Sequence, residues 1–584
     1  MEAKSSGDFY EEVSRLNKVL SEINLKYVEE IDPNEVTDAA LGGIRNVLDP
    51  NTAVLDPKAS DNLKVATDGE FGGIGITISI RDNMLTVISP LSGTPAYNLG
   101  IRAGDKILNI NGKSTKDLSL DAAVEQLRGK VGSDVTVTIG REGTATPFDV
   151  TITRAKIVVH AVPYAGMIDK EVGYIQLASF SQKTASELEE NIDKLKKQGM
   201  KKLVLDLRYN PGGLLNQAIE VGELFLKKGN RIVSTKGRTV NSETNSSKNG
   251  ILSDDTQIAV LVNQGSASAA EIVAGALQDW DRAIVVGKTS FGKGSVQTIF
   301  PLDYDGRALK LTTAFYYLPF GRCVNKPENG IKGHGANGSS SSVGGDEDGS
   351  EVAAPDTLVK DTAVRDTQVF YTAGGRKMYG GGGITPDVDV ELKAIPWIAQ
   401  VQERMSLYFR FAVKYRAQIG DAAAKIDSSW VVPDSVFNAF RNFAAQDTNF
   451  TKIKSNAQTI TDAVEEALVK EQNIFGDTSK TLKDTVLSAR IADLRNALAI
   501  QNEKHALDTK NYSLNAIKRE LIAAAKGDEA RIAFMLKDDA QLAEAVKYLK
   551  NDSLYKSIMK PIKAAPAKSA DKNSVKTTEK GKKK

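Results

Sequence analysis

Near the amino terminus the apolar positions recur at helical spacing, with Val13, Leu16, Leu20 and Ile23 on one face. They predict short amphipathic helices over 8–66, interrupted by a turn-rich Leu-Asp-Pro-Asn-Thr at 48–52. From about 69 to 157 the pattern shortens to β-like runs punctuated by glycine, with one helical segment at Leu120, Ala123, Val124 and Leu127. That pattern predicts a compact, mostly β domain. From about 163 strands and helices alternate. Val172–Leu177 is strand-like, Leu188, Ile192 and Leu195 follow at helical spacing, Leu203–Leu207 and Ile258–Val262 are buried-type strands, and 268–278 is a helix. Alternation of this kind predicts an α/β core with crossover helices, resuming at Ala308–Tyr317 and closing near Asp389. Beyond about 396 the chain is helix-rich, as at Gln541–Leu549.

The pattern thus divides the chain into an N-terminal helical region (1–68), a small β domain (69–157), an α/β core (158–395), a C-terminal helical region (396–562) and a Lys-rich tail (563–584). Within the core, 326–355 is too rich in Gly, Ser and Asp to bury apolar surface and is expected to be a flexible insertion. The tail is expected to be disordered and solvated, since no aromatics interleave its lysines.

Composition adds limits. A chain of 584 residues accommodates about three or four domains. With 41% hydrophobic and 26% charged residues and a net charge of +2, it shows no global bias towards nucleic acid. The single cysteine, Cys323, excludes an intramolecular disulfide and a multi-cysteine metal site and leaves the redox compartment undetermined. No apolar run approaches the roughly 20 residues that span a bilayer. Met-Glu-Ala-Lys-Ser-Ser-Gly lacks a signal-peptide core, so the expectation is a cytoplasmic protein or one whose export signal was removed.

The candidate chemistry centres on Asn-Gln-Gly-Ser-Ala-Ser-Ala-Ala-Glu-Ile at 263–272 and Phe-Gly-Lys-Gly-Ser-Val-Gln at 291–297. Ser268 falls where a strand passes into a helix, whose first N–H groups and positive dipole end can stabilise an oxyanion. The plainer reading is that Ser266 or Ser268 caps the helix and Glu271 completes a capping box. A serine nucleophile needs a base. The three histidines are His160, His334 and His505; His334 lies in the Gly/Ser-rich tract, His505 in a surface-type helix, and His160 alone competes for the role. Lys293, flanked by Gly292 and Gly294, is the alternative, provided that burial lowers its pKa from about 10.4 towards 7. A solvated loop lysine is the simpler account, and Lys288 suits it. Gln297, four residues on, could orient the amine.

Two glycine-bearing segments complete the set. Asp-Leu-Arg-Tyr-Asn-Pro-Gly-Gly at 206–213 ends a buried strand in a turn that presents backbone N–H groups, or is an ordinary β-turn. Gly-Gly-Ile-Gly-Ile at 72–76 opens the β domain. Its N–H groups could capture a terminal carboxylate while the strand edge accepts a peptide; a tight turn explains it equally well. It is no dinucleotide fingerprint, because no helix follows directly.

Together these motifs resemble the carboxyl-terminal processing proteases, the tail-specific serine peptidases that carry a PDZ domain, over roughly residues 40–390. Gly-Ser-Ala-Ser-Ala-Ala-Glu-Ile, then Phe-Gly-Lys-Gly-x-Val-Gln with Lys293 25 residues after Ser268, carries the likeness. Asp-Leu-Arg-x-Asn-Pro-Gly-Gly and Gly-Gly-Gly-Gly-Ile-Thr-Pro-Asp at 380–387 also match. The resemblance implies a ClpP/crotonase-like core with Ser268 as nucleophile, Lys293 as general base and Gln297 positioning it. It places the oxyanion hole on backbone amides of Ala269 and of Gly212 or Gly213. It also implies a PDZ domain at 69–157 whose carboxylate loop is Gly73, Ile74, Gly75 and Ile76, supported by Arg102-Ala-Gly-Asp105, Ile107-Leu-Asn-Ile110 and a groove helix at 119–128. The implied partners are proteins or peptides with free carboxyl termini, with no metal or organic cofactor and no nucleic acid. An activating adaptor, homo-oligomerisation and a periplasmic location in the cell envelope fit the same family.

Ala270 stands where many relatives have Ser, and the insertion and the region after 396 lie outside the minimal family. The Arg322-Cys323 segment and the late glycine run resemble Bacteroidetes-type members. Two other readings compete: a non-catalytic binding protein on the same core, and a PDZ-centred scaffold whose core is inert or gated by a partner. A binding module needs none of Ser268, Lys293 and Gln297.

Overall fold

The structure, a computed structural model, describes residues 6–239, 243–248, 250, 252, 256–302, 306–326, 368–474 and 481–560. The Lys-rich tail, His334 and the 326–355 insertion beyond Lys326 lie outside the described residues. The chain forms two compact units.

The first unit takes in the described residues of 1–60, 201–389 and 547–584. Its parallel strands run in the order Lys202–Asp206, Gln257–Val262, Ile284–Gly287, Val388–Asp389, with Leu205 opposite Val260 and Val260 opposite Val285. Leu203, Val204, Leu205 and Ile258 to Val262 are fully buried. Such continuous apolar runs are what a parallel strand covered on both faces requires. The connecting helices are Leu215–Phe225 and Ala269–Asp279. Every residue of the second is buried, as its Ala-Ala-Glu-Ile-Val-Ala-Gly-Ala-Leu sequence, apolar on nearly all sides, demands. An antiparallel sheet orders Ala53–Leu55, Arg307–Tyr317, Arg231–Lys236 and Glu243–Ser246, with Ser295–Leu302 also paired to Arg307–Tyr317. In that last pair Val296 faces Ala314 but Gln297 faces Thr312, so Thr313 is the extra residue of a bulge. The lead-in segment forms helices Ser6–Lys26 and Pro33–Val47. At the other end of the chain Asp552–Met559 also belongs to this unit: Tyr555 Oη donates to the Ile258 carbonyl at 3.0 Å.

The second unit takes in 61–200 and the described residues of 390–546. Five antiparallel strands follow the order Ile76–Arg81, Met84–Pro90, Lys106–Ile110, Asp134–Gly140, Phe148–Thr153. They close with the helix Leu120–Leu127 around Val87, Ile107, Ile110, Ile139 and Ile152. Burying each of these side chains contributes about 1.5–3 kcal/mol. The helices after 396 have their own core of Leu407, Tyr408, Phe411, Phe440, Ile517 and Leu521, with Tyr408 stacked on Phe440 at 4.8 Å. Inside this unit the helical region grips the β domain: Arg410 pairs with Asp82 at 3.0 Å, and Ser89 Oγ donates to Asp528 Oδ2 at 2.7 Å.

Candidate active site

Strand Lys202–Asp206 ends in the turn that the Asn-Pro-Gly-Gly sequence predicts. Arg208 holds Asp206 through Nε to Oδ1 at 3.0 Å and Nη2 to Oδ2 at 2.6 Å, both side chains being nearly buried. This planar two-point pair fixes the turn. Asn263 Oδ1 accepts from the N–H groups of Tyr209 (2.9 Å) and Gly265 (3.0 Å), and Ala267 N donates to the Asn210 carbonyl at 2.9 Å. The two glycine-bearing motifs are thereby laced into one structure.

Ser266 and Ser268 separate cleanly. Ser266 is fully buried, its Oγ accepting from Asn263 N at 2.9 Å and donating to the Leu207 carbonyl at 2.8 Å. It braces the turn. Ser268 sits between strand Gln257–Val262 and helix Ala269–Asp279 at φ +53° and ψ −115°. A non-glycine residue pays roughly 1–3 kcal/mol to stand in such a region, and such strain clusters at functional sites.

Gly212 abuts this serine. Its φ is +95°, and a methyl group there would lie 2.8 Å from Ser268 Cβ and 2.9 Å from the Ala269 nitrogen. Its N–H donates to Asn210 Oδ1 at 2.8 Å, so its place beside Ser268 is steric. The amides of Ala269 and Gly213 remain as the oxyanion donors to consider. Gly212→Ala is expected to lower stability by about 1–3 kcal/mol in denaturant melts, because both the positive φ and the clash oppose it. An unchanged midpoint would contradict this packing.

The residue that joins the two halves of the site is Glu271, which sequence reasoning treated only as a cap. It is fully buried. Its Oε2 accepts from Ser268 N (2.9 Å) and Lys293 N (2.8 Å); its Oε1 accepts from Gly292 N (2.7 Å) and Ser290 Oγ (2.5 Å). One carboxylate thus sets the backbone of the candidate nucleophile and of the candidate base. Burial pushes its pKa up to about 7, although all four hydrogen bonds favour the ionised form. Tyr316 Oη adds a second tie, donating to the carbonyls of Ser268 (3.2 Å) and Lys293. The Ser-x-x-Glu spacing was the visible signal; the reach to 290–293 was not.

Lys293 is half-buried, and its amine is held below the ordinary lysine value, chiefly by burial and then by the Lys310 charge; Asp49 and Glu271 oppose this. Its Nζ makes no hydrogen bond among the described residues, and the Ser268 and Lys293 side chains share none in this structure. Contacts of this kind commonly tighten only with substrate bound. Gln297 makes no hydrogen bond to Lys293 either: its Nε2 donates to Ser295 Oγ (2.9 Å) and Thr312 Oγ1 (3.2 Å). Lys288, expected to be solvated, is only 18% exposed and pairs with Asp389 at 2.8 Å. His160 is 67% exposed, with Nδ1 3.2 Å from Glu187 Oε1, so its partner is a carboxylate and not a hydroxyl.

In the β domain, the carbonyls of Ile74 and Gly75 accept from Ala96 N (3.0 Å) and Leu91 N (2.9 Å). The N–H groups of Ile74 and Gly75 donate to nothing among the described residues. Gly75 has φ +79°, and a methyl group there would stand 2.3 Å from Thr94 Cβ. Gly73 and Ile76 lie in the flanking strands Glu70–Gly73 and Ile76–Arg81. The loop thus keeps two backbone donors without an acceptor among the described residues, the kind of group that can take up a carboxylate.

A serine at a strand-to-helix junction, a half-buried lysine tied to the same carboxylate and a separate β domain are an arrangement that a serine peptidase with a peptide-binding module would use. Comparison with known families agrees. The model described as peptidase family S41 matches residues 171–334, that of the PDZ domain 63–140, and one described as "Probable PDZ-protease, C-terminal helical domain" 399–549. The carboxy-terminal-processing protease of Bartonella bacilliformis is 44% identical over 54% of this chain and 73% of its own length. The carboxy-terminal processing protease CtpA of Bacillus subtilis is 38% identical over 56% and 69%. The carboxyl-terminal-processing protease of Picosynechococcus is 41% identical over 50% and 72%. The chain belongs to the carboxy-terminal processing protease family of S41 serine peptidases.

Proposed function

We propose that this peptidase cleaves by a Ser268–Lys293 mechanism on protein substrates whose carboxyl termini dock at the PDZ loop. The observation that carries the reading is the Glu271 carboxylate, which holds Ser268 and Lys293 in one frame by four hydrogen bonds. The neutral Lys293 amine takes the Ser268 Oγ proton as the oxygen attacks a peptide carbonyl. Ala269 N and Gly213 N stabilise the oxyanion. As the C–N bond breaks, the Lys293 ammonium returns that proton to the leaving amine. Lys293 then takes a proton from water, which opens the Ser268 ester, and hands it back to Oγ. Gln297 orients the amine through its Oε1, which accepts no hydrogen bond from the described residues. The N–H groups of Ile74 and Gly75 receive the substrate carboxylate, and the strand Ile76–Arg81 lines the peptide groove.

The family points to work in the cell envelope, in the periplasm, and is compatible with an activating adaptor and a homo-oligomer. The test of the mechanism is direct. Incubated with an unstructured protein ending in apolar residues, the enzyme should release internal fragments detectable by mass spectrometry. A fluorophosphonate, which phosphonylates an activated serine with loss of fluoride, should mark Ser268. Absence of fragments, or an adduct on Ser266, overturns the reading.

A further inference from the structure

The Leu-Asp-Pro-Asn-Thr turn at 48–52 reaches the active site. Asp49 is 6% exposed, and its Oδ1 accepts from Asn51 N (2.9 Å), Thr52 N (3.1 Å) and Thr312 Oγ1 (3.1 Å), while Oδ2 accepts from Thr52 Oγ1 (2.6 Å). Thr52 Oγ1 in turn accepts from Thr312 N at 3.2 Å. Thr312 is the residue that the bulge places opposite Gln297, and Gln297 Nε2 donates to its Oγ1.

The direction of these bonds is forced. A carboxylate only accepts, so the single Thr312 hydroxyl proton is committed to Asp49, and Thr312 can only accept from Gln297. The Gln297 amide must therefore turn its NH2 towards Thr312 and Ser295, which leaves Oε1 as its available acceptor. Without that commitment the hydroxyl could donate to Oε1, and the amide could flip to present N–H groups to an amine that needs an acceptor.

We propose that Asp49 is a positioning residue for the base, acting through Thr312 to fix the Gln297 amide with its Oε1 free for Lys293. The proposal rests on the Ser268–Lys293 reading. Asp49 acts on the amine by charge as well. The charges facing Lys293 are Asp49 from the turn, Glu271 from the helix and Lys310 from the strand, the first two favouring the ammonium and the third opposing it.

These two actions separate by mutation, read as the rate of Ser268 labelling by the fluorophosphonate against pH. Thr312→Val keeps shape and charge but breaks the chain; the plateau rate should fall about tenfold, since misplacement of a reacting group costs up to about 10²-fold, with the acid limb in place. Thr312→Ser should restore it. Asp49→Asn removes the charge, so the acid limb should move to lower pH; its Oδ1 can still accept from Asn51 N, Thr52 N and Thr312 Oγ1 while its NH2 costs the Thr52 hydroxyl its acceptor, so the plateau should fall, but by less than in Thr312→Val. Lys310→Met should move it the other way. Wild-type profiles in both Thr312→Val and Asp49→Asn, or a change in thermal stability alone, overturn the proposal. If labelling of the otherwise wild-type enzyme is indifferent to Lys293→Met, the Ser268–Lys293 reading itself fails, and the proposal with it.

Discussion

Ser268→Ala is expected to abolish cleavage, and Lys293→Met to lower kcat/KM by roughly 10²–10⁴-fold, the usual contribution of a general base. The informative variant is Lys293→Arg. It keeps the positive charge and the long stem, yet a guanidinium does not deprotonate in proteins, so it should be as inactive as Met. A structural or purely electrostatic role would let Arg substitute. The pH dependence has a definite sign. Burial and Lys310 lower the Lys293 pKa from its ordinary 10.5, and the base works only when neutral, so activity should rise with pH through that lowered value. The same shift makes the folded protein resist charging this amine. Stability attributable to Lys293 is present above 10.5 and is lost as pH falls through the lowered pKa, so Lys293→Met should melt no lower than wild type near neutral pH. Inactive Met and Arg variants with undiminished melting temperatures would place Lys293 in the chemistry; retained turnover in Lys293→Met would remove it.

The elements that position the site were legible because they are locally encoded. The runs Leu203–Leu207 and Ile258–Val262 coincide with strands Lys202–Asp206 and Gln257–Val262, and the helix read at 268–278 is Ala269–Asp279. A buried parallel strand has no polar face, so the consecutive apolar residues Leu203 to Leu205 and Ile258 to Val262 announce it. The junction at Ser268 followed directly. What could not be read are the long-range ties. Glu271 carries a cap signature in sequence, and only the fold brings 290–293 to its other oxygen. Asp49 lies over 200 residues from Gln297 and reads as a turn former. Lys288 reads as a loop lysine because its partner Asp389 belongs to a strand at the far end of the core. The β-bulge that pairs Gln297 with Thr312 has no sequence mark in Thr-Thr-Ala.

Glu271→Gln is expected to lower kcat/KM by roughly 10²-fold, by displacing the base and nucleophile together. Gln matches Glu in volume but replaces one acceptor oxygen with an NH2. If that group faces Ser268 N and Lys293 N, two buried N–H donors lose their acceptor. If it faces the other way, Gly292 N loses its acceptor, while the Ser290 hydroxyl can rotate to accept. The second orientation is favoured, and it leaves one unsatisfied donor at about 1–3 kcal/mol. Lys293, next to Gly292 in the chain, moves with it. The pH response should carry opposite signs for stability and activity. Because the folded pKa is raised from 4.5 to about 7, the stability linked to Glu271 is fully present below about 4.5 and is lost as pH rises through about 7. The four-donor clamp, however, is complete only on the ionised carboxylate: once it is protonated, one contact must reverse, the Ser290 hydroxyl rotating to accept instead of donate. Activity should therefore climb over the same interval in which stability falls, in addition to the rise that Lys293 deprotonation gives. In Glu271→Gln both slopes should flatten: the limb should report Lys293 alone, and the melting temperature should no longer decline between about 4.5 and 7 relative to wild type. A Gln variant with wild-type kcat/KM and an unchanged limb would show that the buried carboxylate merely caps its helix.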